Sequence, residues 1–221
     1  MSDYNSKKEK FIKLYKIIKK QAPNHLFLFK DPFWILIMTV ISQRTKDEVT
    51  RDAAEKLYNK YKNVNGLSNA NSKDVKKIIR KVGFSNVKSV RLIEISRYIK
   101  TELNGKIPEE HNLLMKIPGV GTKTANIVLT QAFKIPAIPV DIHVHRVFNR
   151  IGLVSTKNPE KTEEELKKII PKEYQVEFNP VIVEFGKSIC KPINPKCNIC
   201  NIRKYCNYYK TTYLKNRDLN K

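Results

Sequence analysis

Residues 113–146 read LLMKIPGVGTKTANIVLTQAFKIPAIPVDIHVHR, and much of the 221-residue chain can be interpreted as support for two side chains within this stretch. A tight Pro-Gly-Val-Gly turn opens a helix with Lys123 in its first turn, because apolar residues recur at helical spacing after it. Asp141, 18 residues further on, is a typical N-cap and starts a second helix. Gly152 ends that helix, since glycine readily adopts the left-handed conformation found there.

The turn itself predicts a phosphate site. Gly119 and Gly121 allow the backbone to bend tightly and to lie close to a ligand. The amides of Val120, Gly121 and Thr122 precede a helix whose first N–H groups lack partners, which makes a backbone anion site. An ordinary corner between two helices is the alternative. Pro118, which fixes the entry to the turn, and the basic character of the chain favour the phosphate site.

Lys123 is the candidate nucleophile. The positive end of the helix dipole disfavours its charged form, and burial would do so further, so that a neutral amine could attack an electrophilic carbon. A solvated lysine that contacts phosphate is the alternative for this residue taken alone. Asp141 taken alone is most often an N-cap. The pair, with each residue at a helix start, is more specific than either residue.

The composition favours a polyanionic partner. Lysine and arginine outnumber aspartate and glutamate by 43 to 21, which gives a formal net charge of +22. Such a balance indicates nucleic acid first and an anionic membrane surface second. The start, MSDYNSKKEKF, lacks a signal-peptide core, and the longest apolar run, 32–41, is too short to span a bilayer. We therefore expect a soluble, intracellular protein in a reducing compartment.

Helical spacing of apolar residues accounts for most of the remaining chain, and no strand is needed, so the predicted fold is all-α. An amphipathic helix at 5–20 either lies on a membrane surface or, as we favour, docks on the protein's own core. Asp31 caps a buried helix at 32–42. The pattern also predicts helices at about 47–61 and 73–82, from the GFSN link to about 103, briefly after Pro108, at about 161–169, and from Phe178 or Pro180.

The four cysteines lie close together near the C-terminus, with the spacing C-x6-C-x2-C-x5-C. Disulfides are rare in a reducing compartment, so four neighbouring thiols indicate one metal centre. Zinc sites and iron–sulfur clusters both use four thiolates. Structural zinc usually draws on two CxxC pairs, and one CxxC is present here, which favours a cluster. The candidate ligands are Cys190, Cys197, Cys200 and Cys206.

The segment IPGVGTKTANIVL followed by VDIHVHRVFNR resembles the helix-hairpin-helix and catalytic-aspartate segments of the endonuclease III family of DNA glycosylases. The resemblance extends to the cysteines, whose spacing matches the [4Fe-4S] motif of the family, and more weakly to nearly the whole chain. It implies that Lys123 is the nucleophile and that Asp141 is its carboxylate partner. It also implies that the four cysteines hold a [4Fe-4S] cluster.

The same resemblance implies an architecture and a partner. Residues 25–135 would form a six-helix barrel lobe with the hairpin, and residues 1–24 with 136–221 a helical cluster lobe. Double-stranded DNA with damaged bases or abasic sites would bind in the cleft between the lobes, where Lys123 and Asp141 would face each other. A monomer that acts on the nucleoid in a prokaryotic cytoplasm, without a membrane partner, is the expectation.

Further DNA contacts are implied at the extruded nucleotide. In the family a polar side chain enters the gap in the duplex, and Gln43 and Arg44 share that assignment here, with a solvated loop as the alternative. Phe84, in the polar GFSN link, would be an apolar wedge between base pairs rather than a core residue. His143 and Arg146 would support the catalytic residues or contact phosphate. The cluster would hold a fixed array of cations for DNA phosphates, with cations that only solvate the loop as the alternative: Lys191, Lys196, Arg203 and Lys204.

The implied activity is that of a bifunctional DNA glycosylase and AP lyase of base excision repair. It would excise oxidised pyrimidines and nick the strand 3′ to the abasic site by β-elimination through a lysine Schiff base. A monofunctional mismatch glycosylase is the first alternative, but such relatives typically lack the lysine at this position. A non-catalytic DNA-binding module stabilised by a metal is the second, and the joint presence of Lys123 and Asp141 argues against it.

Overall fold

The computed structural model describes residues 2–23 and 28–215, and within these ranges the chain forms helices and no strand. The predicted all-α fold is thereby confirmed. Within the described residues, no helix is both long enough and apolar enough to cross a membrane. The cysteine region adds short helical turns at Cys197–Ile199, Arg203–Tyr205 and Tyr209–Tyr213. The α-helices are α1 (Ser2–Gln21), α2 (Pro32–Ser42), α3 (Asp47–Tyr61), α4 (Val64–Ser68), α5 (Ser72–Ile78), α6 (Ser85–Glu102), α7 (His111–Leu114), α8 (Thr122–Ala132), α9 (Ile142–Ile151), α10 (Pro159–Ile169), α11 (Lys172–Gln175) and α12 (Phe178–Ser188).

The chain divides into two compact units, and the first consists of Met1–Leu26 with Pro136–Lys221. Helix α1 belongs to the core of this unit, because the side chains of its apolar stripe are each at most 3% exposed. The ring of Phe11 lies 6.1 Å from that of Phe148 in α9. The N-terminal helix therefore docks on the protein's own core, as we expected, and not on a membrane. The stripe consists of Phe11, Leu14, Tyr15 and Ile18.

The second unit, Phe27–Ile135, is built around α2. Nearly all residues of this helix are apolar and buried, so it packs against α3, α6 and α8. The Asp31 carboxylate caps it by accepting the Phe33 amide at 2.8 Å, as predicted. The indole of the fully buried Trp34 donates to the Lys62 carbonyl at 3.0 Å. The helix that carries Lys123 therefore rests on the most apolar element of its unit.

One predicted helix is wrong at its C-terminal end. The pattern extended a helix over 73–82, but α5 ends at Ile78 and a series of turns follows. These turns bring the Gly83 amide to 3.2 Å from the Thr45 hydroxyl, which accepts its hydrogen bond. A tertiary contact between two loops thus replaces the last helical turn, and local apolar spacing carries no signal of it.

Candidate active site and cysteine centre

The Pro-Gly-Val-Gly turn before α8 combines one left-handed residue with one buried side chain. Gly119, which follows the half-buried Pro118, has φ of +75°, where side chains are strained, and a Cβ there would lie 2.9 Å from the Arg91 side chain. Val120 is 5% exposed, and its amide donates to the Ile117 carbonyl at 3.0 Å. The Val120 amide therefore closes the turn, contrary to the expectation that it faces a phosphate.

Helix α8 begins on the surface of the second unit. Gly121 is its N-cap and has no side chain with which to cap the first-turn amides. A Cβ at this position would meet no atom within 4 Å, so the space in front of the helix is open. Thr122 and Lys123 are exposed, whereas Thr124 is buried. The burial that the sequence argument allowed for Lys123 is therefore absent.

Asp141 is the N-cap of α9 in the first unit, as predicted. One carboxylate oxygen, Oδ1, accepts the amides of His143 and Val144, each at 2.9 Å. The residue is half-buried, and the helix N-terminus is an environment that favours negative charge. Two amide hydrogen bonds fix the orientation of the carboxylate. Its role as a cap and a role in charge stabilisation are therefore compatible.

Arg146 is engaged within the protein rather than directed towards phosphate. Its guanidinium donates to the Cys190 carbonyl at 3.0 Å and to the Gly186 carbonyl at 2.8 Å. It also lies 3.1 Å from His143 Nδ1, and since arginine only donates, that nitrogen would accept the hydrogen bond. Burial lowers the pKa of Arg146 below its usual value. These contacts favour the supporting role that was predicted for Arg146, and the phosphate contact stays a prediction.

Gln43, Arg44 and Phe84 lie on the surface of the second unit, on two adjacent loops. Phe84 is 60% exposed, so it is not a core residue. The Arg44 guanidinium lies 5.4 Å from the centre of the Phe84 ring, a cation–π distance. The exposed Gln43 points elsewhere, with its amide nitrogen 3.5 Å from the hydroxyl of Thr124 in α8. The two residues that shared one sequence assignment therefore face different neighbours.

Lys88 is a candidate that the sequence interpretation missed. It is 6% exposed, and its ammonium donates to the Ile41 carbonyl at 2.8 Å, to the Gln43 carbonyl and towards the Thr45 hydroxyl at 3.3 Å. Burial lowers the pKa of Lys88 to about 8. The signal was available, because a lysine at the start of a buried helical stripe should lie inside. That stripe continues with Leu92, Ile95 and Ile99.

The four cysteines line one cavity of the first unit. Its volume is about 360 Å³ when the space at its mouth is included, and Phe185, Ile189 and Ile202 form much of its apolar wall. Cys197, Cys200 and Cys206 are buried, and Cys190 is partly exposed. Burial is the main cause that raises the pKa of Cys197 to about 12 and that of Cys200 to about 11. A metal would have to displace these protons on binding.

The arrangement of the thiols fits an iron–sulfur cluster better than a single ion. In the part of the chain that the structure describes, no group of three or more His, Cys, Asp or Glu side chains is placed to hold a metal ion. A four-iron cluster does not need its ligands to converge on one point, because each thiolate binds a different iron. Four thiols spread around one apolar cavity meet that requirement.

Side chains from two helices hold the cysteine loop. The Gln21 amide of α1 donates to the Ile199 carbonyl at 2.7 Å and accepts the Asn201 amide at 3.0 Å. Arg150 of α9 donates to the Lys191 carbonyl at 2.6 Å and lies 3.6 Å from the Cys190 sulfur. Of the predicted cationic array, Lys196 and Lys204 are exposed, Lys191 is half-buried, and Arg203 donates to the Asn198 carbonyl.

Comparison with known proteins finds similarity over most of the chain. The family model for HhH-GPD superfamily base excision DNA repair proteins matches residues 37–172. Endonuclease III of Thermotoga maritima is 45% identical over 194 residues, which cover 88% of this chain and 90% of that protein. Two solved structures, a non-covalent endonuclease III–DNA complex and a trapped endonuclease III–DNA covalent intermediate, each align with a TM-score of 0.86 and 30% identity. They cover 94% and 93% of this chain, and the aligned region spans 98% of each of them.

The lowered pKa of Lys88 can be measured directly. We expect the pKa of Lys88, followed by its side-chain NMR signal, to lie near 8, well below the usual range of lysine, because burial disfavours the ammonium form. The Lys88 ammonium group is still mostly protonated at pH 7, and it loses its proton as the pH rises through about 8. Lys88→Met, which removes the signal, provides the assignment. Titration above pH 10 would show that its three oxygen neighbours offset the burial.

Proposed function

We propose a catalytic mechanism for this chain, which belongs to the HhH-GPD superfamily of base excision DNA repair proteins. It is a bifunctional DNA glycosylase and AP lyase that acts on damaged duplex DNA. The observation that carries the mechanism is the exposed Lys123 in the first turn of α8, directly after a glycine-bracketed turn. The substrates in this proposal are oxidised pyrimidines, as the resemblance to the endonuclease III family implies.

Lys123 is the nucleophile. Its uncharged amine attacks C1′ of the damaged nucleotide, and the bond from C1′ to the base breaks, with the electron pair leaving on the base. Loss of a proton from the nitrogen and opening of the sugar ring then give a Schiff base. Removal of a proton from C2′ breaks the C3′–O bond by β-elimination, which nicks the strand 3′ to the site.

Asp141 is the carboxylate partner. Its negative charge stabilises the positive charge that develops on the sugar as the base leaves, or it assists deprotonation of the lysine amine. The amides of His143 and Val144 support either role, because they hold the carboxylate in one orientation before substrate arrives. Arg146 supports the same segment by tying α9 to the Cys190 backbone.

Two exposed side chains fill the space that the extruded nucleotide leaves. Gln43 is the better candidate for the gap itself, because its amide points towards Thr124, the neighbour of Lys123 in α8. Phe84 is the wedge, supported by its exposure and by the Arg44 guanidinium over its ring. Nucleotide extrusion gives the buried C1′ atom access to the lysine. In this proposal Gln43 enters the gap, and Arg44 supports the Phe84 ring.

Phosphates of the DNA backbone bind at the start of α8 and along the cysteine loop. At α8 the donors are the amides of Gly121 and Thr122, with Gly119 permitting close approach of the backbone. In the loop, Lys196 and Lys204 are exposed for such contacts. A bacterial relative supports the proposal that the protein acts in the cytoplasm, on nucleoid DNA, and a monomer suffices for this chemistry.

A [4Fe-4S] cluster bound by Cys190, Cys197, Cys200 and Cys206 completes the proposal. When bound, the cluster would cross-link the C-terminal loop, and it takes no part in the chemical steps of the proposed mechanism. The apolar cavity that all four residues line supports this assignment. The unit Phe27–Ile135 would then be the barrel lobe with the hairpin, and the other unit the cluster lobe.

Replacement of Lys123 tests the nucleophile. We expect wild-type protein to form a covalent adduct with duplex DNA containing thymine glycol when borohydride is present, because borohydride reduces a Schiff base to a stable amine. Lys123→Gln should form no adduct and should still bind duplex DNA. Lys116→Gln, which removes an exposed lysine just before the turn, is the charge-matched control and should form the adduct normally.

An adduct with Lys123→Gln would assign the chemistry to another amine. No adduct with wild-type protein, on thymine glycol or on an abasic site, would favour the mismatch-glycosylase or binding-module alternatives.

Replacement of Asp141 separates its charge from its role as a cap. Asparagine caps a helix about as well as aspartate, so Asp141→Asn should keep the melting temperature while base release slows about 100-fold or more. Asp141→Ala also loses the cap and should be less stable by about 1 kcal/mol. Asp31→Asn, the same change at the start of α2, should leave both quantities unchanged. Wild-type rates in Asp141→Asn would reduce the residue to a cap.

The cluster assignment predicts the composition of the purified protein. We expect a brown protein with iron, acid-labile sulfide and broad visible absorbance, as thiolate-bound clusters show. Cys200→Ser should lose colour and iron together, because the cluster needs four thiolates. A colourless wild-type protein that contains zinc would contradict the cluster and would favour a structural zinc site instead.

A further inference from the structure

Lys88 is a buried cation that the mechanism above does not use. Lysine is rarely buried unless its charge is compensated, and here three oxygen atoms surround the ammonium. They belong to the Ile41 carbonyl, the Gln43 carbonyl and the Thr45 hydroxyl. An ammonium group has three donors and no acceptor, so each N–H has an oxygen to bind.

These oxygens lie where α2 ends. The last carbonyls of a helix have no partner within the helix and carry its partial negative charge. Carbonyls at this end, those of Ile41 and Gln43, receive a positive charge from a different helix, because Lys88 lies in the first turn of α6. Lys88 therefore acts as a C-terminal cap of α2 and fixes the course of the chain after Ser42.

The backbone that Lys88 fixes is strained and interlocked with a second loop. Arg44 has φ of +52°, which is uncommon for a residue other than glycine. The Thr45 hydroxyl also accepts the Gly83 amide at 3.2 Å. A Cβ on Gly83 would lie 2.4 Å from the Arg44 carbonyl oxygen, so the two loops are in direct contact. Lys88 belongs to α6, the helix that directly follows the loop of Gly83 and Phe84. From this helix it binds the loop that carries Gln43 and Arg44.

We propose that Lys88 is a positioning residue for nucleotide extrusion, which holds Gln43 and Phe84 as one rigid pair of probes for the duplex gap, with Arg44 over the Phe84 ring. The proposal rests on the proposed function, in which Gln43 and Phe84 occupy the space of the extruded nucleotide. Probes that are rigid before DNA binds avoid an ordering cost on binding. A displacement of about 1 Å in a positioned group can cost about 100-fold in rate.

This role separates two steps that both depend on Lys123. Release of a damaged base requires the nucleotide to leave the helix, so it depends on the probes. Strand nicking at an abasic site that is already present has no base to extrude. A loosened Gln43–Arg44 loop therefore slows base release far more than nicking. A general loss of folded protein slows both steps equally.

The test compares variants of α6 in single-turnover assays on two duplexes, one with thymine glycol and one with a preformed abasic site. We expect Lys88→Met to slow base release about 10- to 100-fold and nicking by less than about 3-fold. Lys88→Arg, which keeps the charge, should recover part of the base release. Lys100→Met removes an exposed charge from the same helix and should match wild type in both assays.

A binding measurement reports, without chemistry, how far Gln43 and Phe84 enter the duplex and unstack its bases. The probe is 2-aminopurine placed beside a tetrahydrofuran abasic analogue, whose fluorescence rises when the neighbouring bases unstack. At saturating protein, Lys88→Met should bind this duplex and give a smaller rise than wild type or Lys100→Met. An equal rise at equal occupancy would overturn the positioning role.

The remaining outcomes are also decisive. Equal slowing of both steps, or wild-type rates in both, overturns the inference while the proposed function stands. Wild-type protein that releases no thymine glycol overturns the proposed function and this inference with it. If circular dichroism shows that Lys88→Met does not fold, Thr45→Val takes its place, because it removes one of the three oxygens and keeps the side-chain shape. Thr45→Val should also slow base release far more than nicking. Equal slowing of the two steps in this variant, or wild-type rates in both, would overturn the inference.

Discussion

The unpartnered amides at helix starts are the constraint on which the candidate site depends. The chain satisfies several of them with side chains, since Asp31, Asn63, Asn71 and Asn158 each cap a helix with an oxygen atom. Helix α8 begins instead at Gly121, which has no side chain, and the space in front of it is open. A DNA phosphate can take the place of the cap there, so that binding of substrate supplies what the folded protein lacks. In the proposed mechanism, the same backbone would bind the DNA phosphate and position Lys123, the proposed nucleophile in the first turn.

The large positive charge of the chain serves two purposes that composition cannot distinguish. Exposed cations attract DNA over a distance and raise the rate of encounter. Lys88 and Arg146 point inward instead, and each donates to backbone carbonyls near a helix end. Burial lowers the pKa of both groups, because a buried position disfavours the charged form of a basic side chain. Their charge is retained because carbonyl oxygens compensate it, so they fix the loops and segments that carry the proposed DNA contacts.

Local signals predicted those parts of the structure that local interactions determine. The bounds of α2 and the cap at Asp141 follow from adjacent residues, and both are as predicted. Helix α4, Val64–Ser68, was not predicted, because five residues with a glycine among them are too few to show a helical period. The inward orientation of Lys88 and Arg146 could not be derived in the same way. Lys88 donates to oxygens 43 to 47 residues away in sequence, and Arg146 donates to the Gly186 and Cys190 carbonyls, 40 and 44 residues away. Spacing along one helix shows that a position is buried but not which oxygen it meets.

The cysteine centre extends the same reasoning to the first unit. Cys200 and Ile202 belong to the buried cluster that contains Phe11, so the loop is continuous with the core that α1 completes. Gln21 and Arg150 hold the backbone of this loop, but the thiols enclose a cavity that no protein atom fills. Burial raises the pKa of the Cys197 and Cys200 thiols, so a cluster would have to displace their protons on binding. The proposed [4Fe-4S] cluster, bound to all four sulfurs, would fill that space and cross-link the loop at four points. In that proposal, the exposed cations of the loop hold fixed positions against DNA because the cluster holds the loop.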